Sequence, residues 1–505
     1  MRGPHNFLRL VRTAATFERT GAMGVAMEAM EAPPSLRVAA RIVAWPFKWL
    51  GLKGDQNLPA VPRALTALGP AYVKFGQLMS TRPDVVGAEL AEELKVLQDK
   101  LAPFSMERAR ATVKAELGAP VDALFSAFSD PIAAASIAQV HHARTKDGED
   151  VAVKILRPGI ERAFQKDIDA FYFVASFIET FSPAARRLRP RAVVRHFESV
   201  VHGELDLRME ASAAAEFRAN TKKDERFSVP RVIWPLSEKR VFTLEWVDGT
   251  NIGDVPAVQA TGHDLQELAD RIIQRFLDHA LRDGFFHADM HQGNLKLAPN
   301  GDLVALDFGI MGRIDAYTRR VYAEILFGFL QQDYRRIAEV HFEAGYIPRD
   351  QDVDAFAQAL RSIGDPIFGQ DARHISMARL LAHLFEVTER FGMETRTELI
   401  LLQRTMVVVE GVARSLYPEM NMWQVARPVV ERYIRTNIGP VATVRDLAAT
   451  ARVLARFGPR LPQLAERALI NASLGEYEPP KRRQPGWIWG LAGLVLGALV
   501  VWIIR

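Results

Sequence analysis

Two carboxylates, a carboxamide and a lysine carry the most legible chemistry in this chain. His287-Ala288-Asp289-Met290-His291-Gln292-Gly293-Asn294 is followed by Asp307-Phe308-Gly309, so Asn294 falls five positions and Asp307 eighteen positions after Asp289. Phosphoryl transfer needs one carboxylate to orient or deprotonate the nucleophile, and further oxygen ligands to hold Mg²⁺ on the nucleotide phosphates. A His-x-Asp-x-x-x-x-Asn loop with a later Asp-Phe-Gly supplies those groups in that order. Asp289 is therefore the candidate that activates a hydroxyl or a water. Asn294 and Asp307 are the candidate metal ligands, because a hard cation prefers oxygen. His287 reads as a prop for the loop, and His291 as a residue facing the transferred phosphate.

The nucleotide's charge also calls for a lysine. Val151-Ala152-Val153-Lys154-Ile155 lies in a β-like run, Asp150 to Leu156, joined to an earlier run, Ala138 to Arg144, around a turn at Lys146-Asp147-Gly148. A lysine inside a strand needs a charge partner, and Glu210, in the helical stretch 160–220, is the expected one. Lys154 would then neutralise the α- and β-phosphates. Ala133, Ala134, Ala135 and Ser136, just before the first run, would form the loop over the phosphates. Arg240 to Val247 is another strand-like run, and its end, Glu245 to Val247, would offer backbone groups to adenine.

From Asp264 the pattern is helical up to Asp283-Gly284, where the Asp289 loop begins, and almost everything from Asp315 to Ala472 has helical periodicity. Two features depart from protein kinases. The phosphate-covering loop is rich in alanine where they carry Gly-x-Gly-x-x-Gly, and each added methyl restricts positive φ and keeps the backbone from approaching phosphate closely. After Asp307-Phe308-Gly309 the chain reaches a helix at about Asp315, with no Ala-Pro-Glu and no long activation segment. The platform that would hold a peptide substrate is missing.

With 505 residues, 49% of them hydrophobic, the chain can bury a large core in more than one lobe or domain. A net charge of +4 and no basic stripe interleaved with aromatics argue against a nucleic-acid partner. The absence of cysteine excludes disulfides, zinc-thiolate sites and cysteine nucleophiles. Pro34 to Lys53 reads as a basic amphipathic stretch suited to an anionic membrane surface; an ordinary solvated helix and a cleaved transit peptide are the alternatives. Trp487 to Ile504 is uncharged over 18 residues, about 27 Å as a helix against a hydrocarbon core of about 30 Å. Trp487, Trp489 and Trp502 sit near its ends, and Lys481, Arg482 and Arg483 precede it, which predicts a single span with the large domain cytoplasmic. Gly493 and Gly497 would allow a dimer through a Gly-x-x-x-Gly face.

Gly69-Pro70 marks a helix entry, followed by Ala71-Tyr72-Val73-Lys74-Phe75-Gly76-Gln77, and a second helical stretch is expected from about Gly87 to Leu101. Lys74 and Gln77, one turn apart, share a face and point at something specific, unless Lys74 is a snorkelling surface lysine. Taken together, the residues resemble the UbiB/AarF atypical kinase-like family of ubiquinone biosynthesis. The resemblance rests on Lys74-Phe75-Gly76-Gln77 for its Lys-x-Gly-Gln signature, Ala133 to Ser136, Val151 to Lys154, Glu204-Leu205-Asp206, His287 to Asn294 and Asp307 to Gly309, and it covers about residues 57 to 390.

That resemblance implies ATP or ADP bound with Mg²⁺, ATPase-type activity, and support of a membrane-associated quinone-making complex. It also implies that the Lys74 helix covers the peptide-binding face and contacts the Glu204/Asp206 pair, making Lys74, Gln77, Glu204 and Asp206 gating residues. The implied partners are membrane lipids, quinone precursors and ubiquinone-biosynthesis enzymes, at the inner (cytoplasmic) membrane. Relatives often carry two C-terminal spans, whereas only one stretch here is long enough. The expected fold is α+β: a bilobal protein-kinase-like body with an N-terminal helical extension and a C-terminal transmembrane helix. Its expected parts are a basic segment (1–56), the Lys-x-Gly-Gln helical extension (57–118), an N-lobe with inserted helices (119–248), a C-lobe (249–390), a helical region (391–480) and the span (487–504). A small-molecule phosphotransferase of the aminoglycoside-kinase type and a non-catalytic nucleotide-binding scaffold are the competing readings.

Overall fold

The computed structural model describes residues 5–29, 45–80, 86–97, 103–181, 189–368, 383–384, 386–387, 390–393 and 397–439. The chain divides into two compact units, 1–434 and 435–505, and the architecture below is that of the first.

The chain opens with α1 (His5–Thr20) and α2 (Ala22–Ala29), then a 3-10 turn (Trp45–Leu50), α3 (Ala60–Leu68), α4 (Pro70–Ser80) and α5 (Ala88–Leu94). Pro70 begins α4 as expected, whereas the second helix is shorter than the stretch from Gly87 to Leu101. Of the basic stretch Pro34 to Lys53, the part before Trp45 lies outside the described residues. The rest is the 3-10 turn and the extended chain after it, held on α1 by Arg19, whose guanidinium donates to the carbonyl of Gly51 at 2.6 Å.

Next come α6 (Met106–Leu117), β1 (Phe125–Ala134), β2 (Ala138–Thr145) and β3 (Asp150–Leu156), then the inserted helices α7 (Ile160–Phe181), α8 (Pro190–Glu204) and α9 (Leu207–Thr221), then β4 (Phe227–Ser228) and β5 (Val241–Glu245). Strands β1, β2, β3 and β5 form one antiparallel sheet in that order. Successive side chains of β3 alternate between faces. Val151, Val153 and Ile155 join Val113, Phe125 and Val241 in the core on one side. Ala152, Lys154 and Leu156 therefore face the other side, toward the cleft. The β2–β3 turn falls where Lys146-Asp147-Gly148 predicts it, with Gly148 at φ 86°.

The second lobe adds β6 (Thr250–Asn251), α10 (Val255–Ala260), α11 (Leu265–Asp278), β7 (Phe285–His287), β8 (Leu295–Leu297), β9 (Leu303–Ala305), β10 (Met311–Arg313), α12 (Ala316–Gln331), α13 (Tyr334–Glu343), α14 (Val353–Phe368), α15 (Thr397–Leu416) and α16 (Met422–Asn437). Helix α11 starts where the Asp264 carboxylate accepts the N–H groups of Gln266 and Glu267, an N-cap. It buries Leu268, Ile272, Ile273 and Phe276, the i, i+4, i+5, i+8 spacing of one helical face. A π-turn (His279–Asp283) ends at Gly284, with φ 67° and the Ile314 carbonyl 2.5 Å from where a Cβ would lie. Only glycine fits there, directly before the strand that delivers His287. Strand β10 pairs antiparallel with β7, Met311 opposite His287, so the chain after Asp307-Phe308-Gly309 is a short strand locked beside the Asp289 loop. Helix α12 follows at once from its Asp315 cap, as the sequence predicts.

No helix among the described residues is long and apolar enough to cross a membrane. The segment Trp487 to Ile504 lies outside the described residues.

Candidate active site

Lys154 reaches across the cleft from the middle of β3. Its Nζ lies 2.7 and 3.0 Å from the carboxylate oxygens of Glu210 on α9 and 3.2 Å from Asp307 Oδ2. Burial alone would lower the lysine's pKa, but the Asp307 and Glu210 carboxylates outweigh it and hold Lys154 above its ordinary value. Burial pushes Asp307 up; Lys154 and the Gly309 N–H more than reverse this and hold its pKa at about 2. Glu210 is raised, because burial and Asp307 act against the pull of Lys154. The trio carries one net negative charge, and 49% of the Asp307 side chain remains open. Asp307 itself adopts φ 56°, a left-handed backbone uncommon outside glycine. That turn sends its carboxylate into the cleft while Phe308 is buried with its ring centroid 6.1 Å from Phe217 of α9 and 5.8 Å from His287.

The loop after β7 is braced from within. The fully buried His287 donates from Nε2 to the Leu306 carbonyl (3.0 Å) and accepts the Asp289 N–H at Nδ1 (3.1 Å). Burial lowers its pKa, which keeps this neutral tautomer. His287 is the prop that the sequence suggests. Asn294 Nδ2 donates to the Asp289 carbonyl (3.0 Å), bracing the loop, and Asn294 is not among the residues that line the cleft. His291 Nδ1 accepts the Gly293 N–H (2.9 Å), and its Nε2 stands 3.7 Å from Asp289 Oδ2.

One cleft of about 880 Å³ contains Lys154, Glu210, Asp289, His291 and Asp307, and also Lys74, Gln77 and Glu204. Helix α4 roofs it. Lys74 Nζ is 3.1 Å from Glu204 Oε1, at the end of α8. Gln77 Nε2 instead donates to the Leu97 carbonyl (3.3 Å). Asp206 is not turned to Lys74 either: it binds the Arg208 guanidinium at 2.9 and 2.7 Å and caps α9 through the Arg208 N–H. Arg208 holds the Asp206 carboxyl below its usual range. A helix needing a cap right after Glu204 takes the second acid of the motif.

Two further expectations change. Ala133 and Ala134 end strand β1, paired with Val140 and Gln139, so only Ala135 and Ser136 of the alanine-rich loop line the cleft. Glu245 and Val247 do not line it. The Glu245 N–H and carboxylate bond to Arg231, and the Val247 carbonyl accepts Lys296 Nζ at 3.1 Å. Two residues with no motif also belong to the site. Thr405 Oγ1, in the middle of α15, shares its one proton between the Leu401 carbonyl of its own helix (2.8 Å) and the Ala288 carbonyl (3.0 Å), and Arg404 lines the cleft from the same helix.

A Mg-nucleotide fits these groups. Among the described residues no cluster of three or more acids or histidines could hold a metal by itself, so phosphate oxygens would have to complete the shell of Asp307 and Asn294. That is the arrangement Mg²⁺ favours. The Ser136 hydroxyl, buried beside the cleft without a partner among the described residues, is a donor available to a phosphate oxygen.

Residues 96–341 match the ABC1 atypical kinase-like domain, and residues 360–421 match the UbiB helical domain. The second match contains Arg404 and Thr405. A protein of Marinobacter nauticus named "Probable protein kinase UbiB" is 39% identical over 413 residues, 81% of this chain and 76% of its own length. Proteins of that name from Pseudomonas entomophila (37% over 461 residues; 90% and 86%) and Vibrio cholerae (38% over 457 residues; 87% and 84%) are similar. Among solved structures, the complex of Rv3197 with erythromycin from Mycobacterium tuberculosis has a TM-score of 0.52 and 23% identity, covering 70% of this chain and 90% of that one. That likeness concerns the fold alone.

Proposed function

This chain belongs to the UbiB family of ABC1 atypical kinase-like proteins, and from that premise we propose that it is a membrane-anchored, Mg²⁺-dependent ATPase supporting ubiquinone biosynthesis. The observation that carries the reading is Lys154 bound to both Glu210 and Asp307 in one cleft with Asp289. A bound metal would offset the triphosphate's charge, held by Asp307 and Asn294. Lys154 would bind the α- and β-phosphate oxygens, and the Ser136 hydroxyl would donate to phosphate. Asp289, its main chain fixed by His287 and Asn294, orients the nucleophile. As the nucleophile's oxygen bonds the γ-phosphorus, its proton passes to an Asp289 oxygen and the bond to the departing diphosphate breaks. His291, near that carboxylate, faces the same group.

The roof formed by α4, and the locking of β10 against β7, support water or a small lipid-like acceptor over a protein in trans. Trp487 to Ile504, with Lys481 to Arg483 before it, is the proposed anchor in the inner membrane. Quinone precursors and their biosynthetic enzymes are the proposed partners. Profiling quinones and their intermediates in a deletion strain tests this directly. Rescue by wild type but not by Asp307→Asn is expected; rescue by both would remove nucleotide chemistry from the role.

A further inference from the structure

A second cavity lies behind the roof, and its walls are of the opposite chemistry. It measures about 380 Å³, inside the range of roughly 300–1,000 Å³ typical of small-molecule sites. Leu10 and Phe17 of α1, Leu65 of α3, Met79 of α4, Phe171 of α7 and Val194 of α8 line it. The hydroxyls at its wall, on Thr13 and Tyr72, bond each other at 2.8 Å, and the rest of the lining is apolar. A water needs two to four polar partners, and beyond that one hydroxyl pair the lining supplies hydrocarbon. The cavity is open to solvent on one side, so while it stands unfilled its apolar lining faces water, which is unfavourable in proportion to the area exposed. A chamber of this size and composition calls for a hydrocarbon occupant.

We propose that this cavity holds the hydrocarbon tail of one lipid, taken up at a membrane surface. Val174 lines the cavity and is 43% exposed, which marks an apolar mouth. On another face of α1, the turn Trp45–Leu50 presents Trp45 and Trp49 at 71% and 73% exposure with Lys48 between them. Paired indoles with a lysine suit the headgroup level of an anionic bilayer. The occupant is also placed to affect the nucleotide cleft. Tyr72, Phe75, Gly76 and Met79 of α4 face the cavity, while Lys74, Gln77 and Leu78 of the same helix face the cleft. Gly76 sits so tightly that a Cβ would lie 2.4 Å from Leu97 and 2.6 Å from Leu65, so the helix cannot shift without moving the cavity wall. A tail in the cavity holds the roof in its closed position. The tail site stands on its own geometry; its action on the cleft rests on the nucleotide reading above.

The test uses the full chain held in amphipol and titrated with dansyl-undecanoate, with palmitate and geranylgeraniol as competitors. Saturable binding, displaced by one competitor or both, is expected; the stronger one identifies an acyl or a prenyl tail. Ala14→Phe fills the chamber, and Val174→Asp sets a charge at its exposed mouth without burdening the fold. Each should weaken probe binding about tenfold or more, since a carboxylate or a ring there leaves the tail no apolar room. Both variants should keep the thermal stabilisation by Mg-ATP seen in wild type. No saturable binding, displacement by neither competitor, or equal binding by both variants would overturn the proposal. Probe binding without any response to Mg-ATP would sink the nucleotide reading and leave the tail site standing.

Discussion

Lys74 and Glu204 face each other at 3.1 Å across the roof of the cleft, with only 17% and 11% of their side chains exposed. One comes from the helical extension and the other from the end of α8, so the pair pins the extension to the kinase-like body. Removing one member of a mostly buried pair takes away the other's close opposite charge, a loss of at most about 3–5 kcal/mol. Lys74→Ala should therefore lower the melting temperature and open the roof, and Glu204→Ala added to it should cost less than the sum of the two. Radiolabelled ATP gives the functional readout. Wild type should leave added proteins unlabelled, and Lys74→Ala should gain self-labelling. A wild type that labels added proteins readily would end the gating idea.

Asp307→Asn separates charge from shape. Asn tolerates the left-handed backbone at φ 56°, so the turn into Phe308 should survive. What disappears is the carboxylate held at a pKa of about 2, the strongest oxygen donor for a cation in the cleft. The variant should melt close to wild type without nucleotide, yet lose the Mg²⁺-dependent stabilisation by ATP. If it responds to Mg-ATP as wild type does, Asp307 is not a metal ligand.

Lys154 and Glu210 were findable because a lysine inside an apolar strand must have a carboxylate, and α9 carries one 56 residues later. Asp289, Asn294 and His287 were legible for a related reason: their spacing is the geometry of one loop. Asp206 misled because its motif neighbour Glu204 does make the ion pair, while the need of α9 for a cap is a local demand that outranks a distant lysine. Ala133 and Ala134 carry no alternating pattern, and β1 runs through Pro131 with several register shifts, so its end cannot be told from a loop. The Glu245 N–H is taken by the Arg231 carbonyl and the Val247 carbonyl by Lys296, contacts that no short-range spacing reveals. Thr405 is a single hydroxyl in a helix, with no signal until the fold places it on Ala288.

Acid should unfold this protein along a predictable limb. His341 is buried, and burial lowers its pKa from 6.5 to about 4 although it donates to the Ile337 carbonyl. Between those values the unfolded chain takes up a proton that the folded one refuses. Stability is thus fully present above pH 6.5 and falls as the pH drops toward 4, by about 1.4 kcal/mol per pH unit for that proton. Burial lowers His279 and His287 as well, so the wild-type limb is steeper than one site allows. Denaturant melts from pH 7 to 4.5 should show His341→Leu flattening the limb by roughly one proton's slope. An unchanged slope would mean that His341 titrates alike in both states.

Thr405 tests whether the helical region positions the reacting loop. Its hydroxyl lies 3.0 Å from the Ala288 carbonyl, one residue before Asp289 and 117 positions away in sequence, and shares its proton with the Leu401 carbonyl of its own helix at 2.8 Å. Thr405→Val keeps the shape and deletes the donor, leaving a buried carbonyl short of a partner at a cost of about 1–3 kcal/mol. A merely structural bond would show only in the melting temperature. A positioning bond lets Asp289 drift, and a small misplacement of a reacting group is enough to lose rate. The expectation is a drop of about tenfold in kcat for ATP hydrolysis, with KM little changed. Thr405→Ser, which restores the hydroxyl, should recover kcat even if some stability stays lost to the missing methyl. If Val and Ser lower the melting temperature alike and leave kcat untouched, the contact holds the fold and does not position Asp289.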